Sequence, residues 1–192
     1  AEPRALRADE VRAVTADFAA AARRAAEAGY DVVELHGAHG YLIHEFLSPL
    51  SNTRTDEFGG SPEGRRRFAL QTAAAVREAV GGETVLGIRL SATDWAEGGL
   101  TGEDTAELAP QLVAAGVDVL HISTGGNVPA QVPVGPGYQV PFAAQVRRAV
   151  ADSTTPGGGR PVVVTVGVIT EAAQAEQIVG TEQADAVAVG RP

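Results

Sequence analysis

Five short apolar runs, each followed by a loop and a stretch of helical periodicity, set the limits on what this chain can fold into. They span positions 31–36, 84–90, 117–123, 161–166 and 184–189. A short, near-continuous apolar run reads as a strand covered on both faces, as in parallel sheets. The intervening stretches are long enough for helical crossovers between parallel strands. A helix is expected over 10–28, capped by Asp9, with Val11, Val14, Phe18, Ala22 and Ala25 on one face. Ser61 and Pro62 signal the start of the next long helix. Thr101 with Asp104 forms a capping box for a third, in which Pro110 predicts a kink or a late start. Pro141 opens another, and Thr170 caps the last. The fold class is therefore α/β with parallel β/α units. Two architectures fit this order: an open doubly wound sheet, or part of a (β/α)8 barrel.

Function classes fall away on composition. The net charge of −9 argues against a nucleic-acid partner, which would need a surface that neutralises phosphates. No apolar run is long enough to span a bilayer, and the charged start does not resemble a signal peptide, so no membrane partner is expected and a cytoplasmic location fits. With no cysteine, these residues cannot build a disulfide, an iron–sulfur cluster or a thiolate site.

The chemistry concentrates just past the first strand. His36, Gly37, Ala38, His39, Gly40 and Tyr41 place two imidazoles and a phenol within six positions, in a loop where glycines let a ligand approach the backbone. Loops after the strands are where β/α proteins carry their sites. The competing explanation is a pair of satisfied loop histidines. A zinc site from His36, His39 and His44 is a further alternative, but position 48 is Ser where a helical HExxH pair needs a second His, so no metal is expected. Arg89, near the end of the second strand, is expensive to bury unless an anion or acceptor meets it, whether a ligand or a carboxylate such as Asp94. The long irregular stretch 48–62 is expected to serve or cover a site.

HGAHGYLIHEFLSPLSNTRTDEFGGSPEGRRRF, running from His36 to Phe68, resembles the signature segment of the Old Yellow Enzyme family. GIRLSATD around Arg89, STGG at 123–126, PGYQVPFA, and VTVGVIT followed by ADAVAVGRP extend the resemblance over nearly the whole chain. It implies an eight-stranded barrel of which residues 1–192 would be a single partial domain holding strands four to eight. It implies FMN as cofactor and NADH or NADPH as reductant. The implied activity is reduction of activated C=C bonds in enones or nitro compounds, in a ping-pong cycle. His36 and His39 would bind the substrate oxygen, where two N–H donors would stabilise developing negative charge. Tyr41 would protonate the α-carbon. Arg89 would sit beside the flavin pyrimidine, and the segment from Ser123 through Gly125 to Gly126 would line the side of the phosphate site. Gly167, Val168, Gly190 and Arg191 would hold the phosphate. Arg54, Asp56, Gly59 and Gly60 would be structural, and Tyr138 would face either substrate or a neighbour. The related dienoyl-CoA reductases hold a cluster through cysteines, which this stretch lacks. A partial barrel leaves strand edges open, so a homo-oligomer or a complementing N-terminal half is expected. A catalytically silent half-barrel subunit is the alternative.

Overall fold

The computed structural model describes residues 4–190. It contains β1 (Val32–Gly37), β2 (Val85–Ser91), β3 (Val119–Ser123), β4 (Val162–Thr165) and β5 (Ala186–Val187). The helices are α1 (Ala8–Glu27), α2 (Leu42–Leu47), α3 (Pro62–Val80), α4 (Gly102–Ala114), α5 (Val140–Ala149) and α6 (Ala172–Gly180). The strands form one sheet in the order β1-β2-β3-β4-β5, and every pair is parallel. A doubly wound sheet would reverse its strand order at a switch point. This sheet advances in one direction throughout, which selects the barrel alternative.

Register divides the sheet into two faces. Leu35, Ile88, Leu120 and Val163 pair across four strands, and all are buried beneath the helices. One residue further along, His36, Arg89, His121, Val164 and Ala186 form a row on the opposite face. Expected coverage on both faces is not what the structure shows among the described residues. On the inner face Val32 is 53% exposed and Val162 39%. An apolar run reports what each side chain tolerates, not which layer lies over it.

Ser61 caps α3 by accepting from Gly64 N at 3.1 Å. Thr101 and Asp104 form the reciprocal capping box of α4, and Pro110 lies inside this helix without delaying its start. Two caps differ. The N-cap of α1 is Arg7, whose backbone N–H is taken by the Glu10 carboxylate at 2.7 Å, so Asp9 lies in the first turn. The cap of α6 is Glu171, not Thr170, and no side chain bonds there. The last strand is far shorter than 184–189 because only Ala186 and Val187 pair with β4.

The stretch after α2 is a packed support. Asn52 donates to the carbonyls of Phe46 and Phe58 at 2.7 and 2.8 Å. Arg54 pairs with Asp56, donates to Leu6 O and lies over the Phe46 ring. A Cβ on Gly59 would lie 2.6 Å from Arg54 Cβ. These contacts hold α2, and with it the loop that carries the two histidines.

Candidate active site

The loop between β1 and α2 crosses the C-terminal rim of the sheet. The rings of His36 and Tyr41 are 4.6 Å apart at their centroids, and His36 meets His39 edge-on at 5.4 Å. Ala38 N donates to His36 Nδ1 at 3.2 Å, so the neutral ring carries its proton on Nε2. His36 is exposed, and Tyr41 is 61% exposed. The three side chains expected to act together therefore share one rim.

His39 adopts a left-handed backbone, with φ of 56°. Its N–H is taken by Ser91 Oγ at 3.0 Å, and Ser91 in turn donates to Gly125 O at 2.7 Å. The loops after β1 and β3 interlock here. A Cβ on Gly126 would lie 2.7 Å from His39 Cα, and one on Gly40 would lie 2.4 Å from Gly126 O. His39 Nε2 lies 2.7 Å from Ser123 Oγ.

Beneath this loop lies a buried pair that sequence reasoning weighed only as a metal ligand and a partner for Arg89. His44 Nδ1 accepts from Gly40 N at 3.0 Å, and Nε2 donates to Asp94 Oδ1 at 2.9 Å. Asp94 also accepts from Ser48 Oγ at 2.6 Å and Leu100 N at 2.8 Å. Burial pushes the Asp94 carboxyl up, but the hydrogen bonds from His44, Ser48 and Leu100 outweigh it and hold the pKa below the usual carboxylate value. With both ring nitrogens of His44 engaged, the three-histidine zinc alternative is not assembled. Among the described residues, no group of three or more His, Cys, Asp or Glu is placed to hold a metal.

Arg89 does not pair with Asp94. It stands between His36 and His121 in the inner-face row, and its Nε is buried without a partner. The Arg89 charge reaches both rim histidines. Burial first, and Arg89 second, lower the pKa of His36 and bring that of His39 down to about 4. Next along the row, His121 Nδ1 lies 3.1 Å from Glu34 Oε2, and this contact, working against burial, holds the Glu34 carboxyl below its usual range. His121 Nε2 is also buried and unpartnered. The Glu34–His121 pair was missed, although histidine inside the apolar run VDVLHIST, in register with Arg89, was the available signal.

Besides Arg89, the expected cofactor contacts fall at the ends of β3, β4 and β5. Ser123 is buried, and Gly125 N donates to Thr93 O at 2.8 Å, so that N–H is already engaged. Gly167, with φ of 126°, and Val168, with φ of 50°, form the turn after β4. Positive φ in a β-branched residue is a strained state found where a backbone must present itself in one way. Gly190 is exposed with open space around it, and Arg191 lies outside the described residues. Tyr138 packs on Gly167, where a Cβ would lie 3.1 Å from its ring. Gln139 was not singled out, yet it bonds to Ser123, Thr124 and Val166.

Fold and rim together define a β/α-barrel protein with a polar site at the C-terminal ends of its strands. The profile of the NADH:flavin oxidoreductase / NADH oxidase family matches residues 1–192. An NADPH dehydrogenase of Listeria innocua is 44% identical over 191 residues, covering 100% of this chain and 53% of the relative. One from a Geobacillus species is 48% identical over 174 residues, covering 91% of this chain and 48% of the relative. The chain spans about half the length of the curated relatives it matches. Among solved structures, morphinone reductase superposes with a TM-score of 0.78 at 33% identity, over 100% of this chain and 48% of that one. A 2-naphthoyl-CoA reductase complex gives 0.85 at 29% identity, over 96% of this chain and 27% of that one. The chain belongs to the NADH:flavin oxidoreductase family, the family of Old Yellow Enzyme.

Proposed function

We propose that the protein is an FMN-dependent oxidoreductase that uses NAD(P)H to reduce activated C=C bonds of α,β-unsaturated carbonyl or nitro compounds. In this reading residues 1–192 form one domain with the strands that complete the barrel. The observation that carries it is a single rim holding an exposed His36, an exposed Tyr41 and an Arg89 with an unpartnered buried Nε. Relatives named NADPH dehydrogenase favour NADPH as the reductant.

The residues present fit a flavin. An orphaned guanidinium nitrogen on the inner face calls for an acceptor, and the strained Gly167–Val168 turn offers backbone at the strand end where barrel phosphate sites lie. Arg89 would hold the ring, and Ser123 and Gly125 would line the phosphate side. Gly167, Val168, Gly190 and Arg191 would hold the phosphate. Bound FMN would supply the hydride.

The chain's own groups do the remaining work. His36 presents Nε2–H to the oxygen of the electron-withdrawing group, where negative charge develops, and one such donor is worth about a hundred- to a thousandfold in rate. His39 forms the second wall of that subsite. Tyr41, in ring contact with His36, delivers the proton to the α-carbon. Burial first and the charge of Arg89 second hold both histidines below the ordinary imidazole pKa, which favours the neutral rings.

A complementing N-terminal half is the partner this reading requires. Leaving ~500 Å² of apolar inner face uncovered would forfeit on the order of 12 kcal/mol, comparable to a domain's whole stability. The test is retention of the visible flavin band after FMN is added and the excess removed, followed by NADPH-driven reduction of 2-cyclohexenone. Retention and turnover, with His36→Ala slowed about a hundredfold or more and Tyr41→Phe slowed about a hundredfold, support the reading. No retained flavin even when the complementing half is supplied overturns it.

A further inference from the structure

A hydrogen-bond chain leads away from His39, and its direction is set by one backbone carbonyl. Val166 O can only accept, so the group facing it at 3.0 Å must be the Gln139 amide NH2. This places Gln139 Oε1 toward Ser123 Oγ at 3.1 Å and Thr124 Oγ1 at 2.8 Å. An amide oxygen cannot donate, so both hydroxyls donate to it. Ser123 has one proton, and it is now committed. The 2.7 Å contact between Ser123 Oγ and His39 Nε2 is then a hydrogen bond only if His39 is the donor.

We infer that Gln139 is a positioning residue: through Ser123 it fixes His39 as the Nε2–H tautomer and leaves an unprotonated Nδ1 as the ring's remaining polar atom. Gln139 and Ser123 are each 3% exposed, so water does not compete for these bonds. Burial and the nearby Arg89 keep the ring neutral, so Nδ1 stays a lone pair. The same amide lies against the turn after β4, where a Cβ on Gly167 would come within 2.7 Å of Gln139 Nε2. One side chain thus ties the rim histidine to the backbone ahead of the Gly167–Val168 turn.

The consequence for ligands rests on the proposed role of this rim. His36 offers a proton and His39 offers a lone pair, so the two histidines are not equivalent donors. A substrate ketone then takes its hydrogen bond from His36, and His39 lies beside it as the second wall of the subsite.

The tautomer is measurable without flavin, substrate or turnover. Nitrogen-15 spectra of the imidazoles separate protonated from bare ring nitrogens, and with four histidines in the sequence, single-histidine variants assign them. The expected result at neutral pH is His39 with Nε2 protonated and the Nδ1–H form below about a tenth, the ratio one ordinary hydrogen bond supports. Gln139→Met frees the Ser123 proton, so an Nδ1–H population emerges. Gln139→Glu keeps an acceptor for Ser123 and retains the wild-type tautomer. Ser123→Ala cuts the link without touching Gln139 and also releases the preference. A wild-type His39 protonated on Nδ1, or an unchanged tautomer in both Gln139→Met and Ser123→Ala, overturns the inference. Neither result depends on whether the protein reduces alkenes.

Discussion

His44 donates to Asp94 across 2.9 Å with both side chains fully buried, which joins the helix after β1 to the loop after β2. Through Gly40 N on its other nitrogen, His44 also holds the loop bearing His39 and Tyr41. Removing Asp94 would leave buried donors on His44, Ser48 and Leu100 unmatched. Asp94→Ala is expected to destabilise the protein by about 3 kcal/mol or more, since each buried donor left without a partner costs about 1–3 kcal/mol. Asp94→Asn, which keeps one acceptor, is expected to lose less. Urea unfolding of the two variants checks the order, and equal losses would contradict it.

Gly40 is expected to be irreplaceable for a steric reason. Its φ is +77°, and a Cβ there would lie 2.4 Å from Gly126 O. The left-handed conformation alone costs an L-residue roughly 1–2 kcal/mol, and the clash with a backbone oxygen adds to it. Gly40→Ala should therefore lower stability by about 2 kcal/mol or more and displace the rim. Gly82→Ala is the control, since nothing lies within 4 Å of its Cβ position. It should stay within about 0.5 kcal/mol of wild type.

The rim histidines predict the direction of the pH dependence. His39 titrates at about 4 in the folded protein, and His36 is lowered too. An unfolded histidine titrates near about 6.5. Between these values the unfolded chain binds protons that the folded one excludes, so stability rises with pH. The histidine contribution is intact above about 6.5 and is lost as the pH falls toward about 4. Asp94, held below the carboxylate range, loses its contribution only at lower pH. Denaturant midpoints between pH 8 and pH 4 should fall more steeply for wild type than for His39→Asn. Parallel profiles would show that His39 is not the group responsible.

The motif from His36 to Phe68 carried the family resemblance and marked the strand end, and the structure places His36, His39 and Tyr41 together on the rim past it, because a strand end and its loop depend on local chain chemistry. Apolar periodicity and turn residues are read within a dozen positions, so strands, most helix starts and the Ser61 and Thr101 caps were legible. Asp9 and Thr170 misled because both are good caps in isolation, and small shifts of the helix start are decided by contacts such as the Glu10 carboxylate on Arg7 N.

What only the tertiary structure decided is which distant groups meet. Register puts His36, Arg89 and His121 in one row, and nothing in their separate strands states it. Asp94 reads equally well as a partner for Arg89 or for His44 until the loop after β2 is placed over α2. Gln139 carries no catalytic signal in sequence. Its positioning role emerges only because the ends of β3 and β4 meet at its amide, and a hydrogen-bond chain has a direction only once both ends of every bond are known.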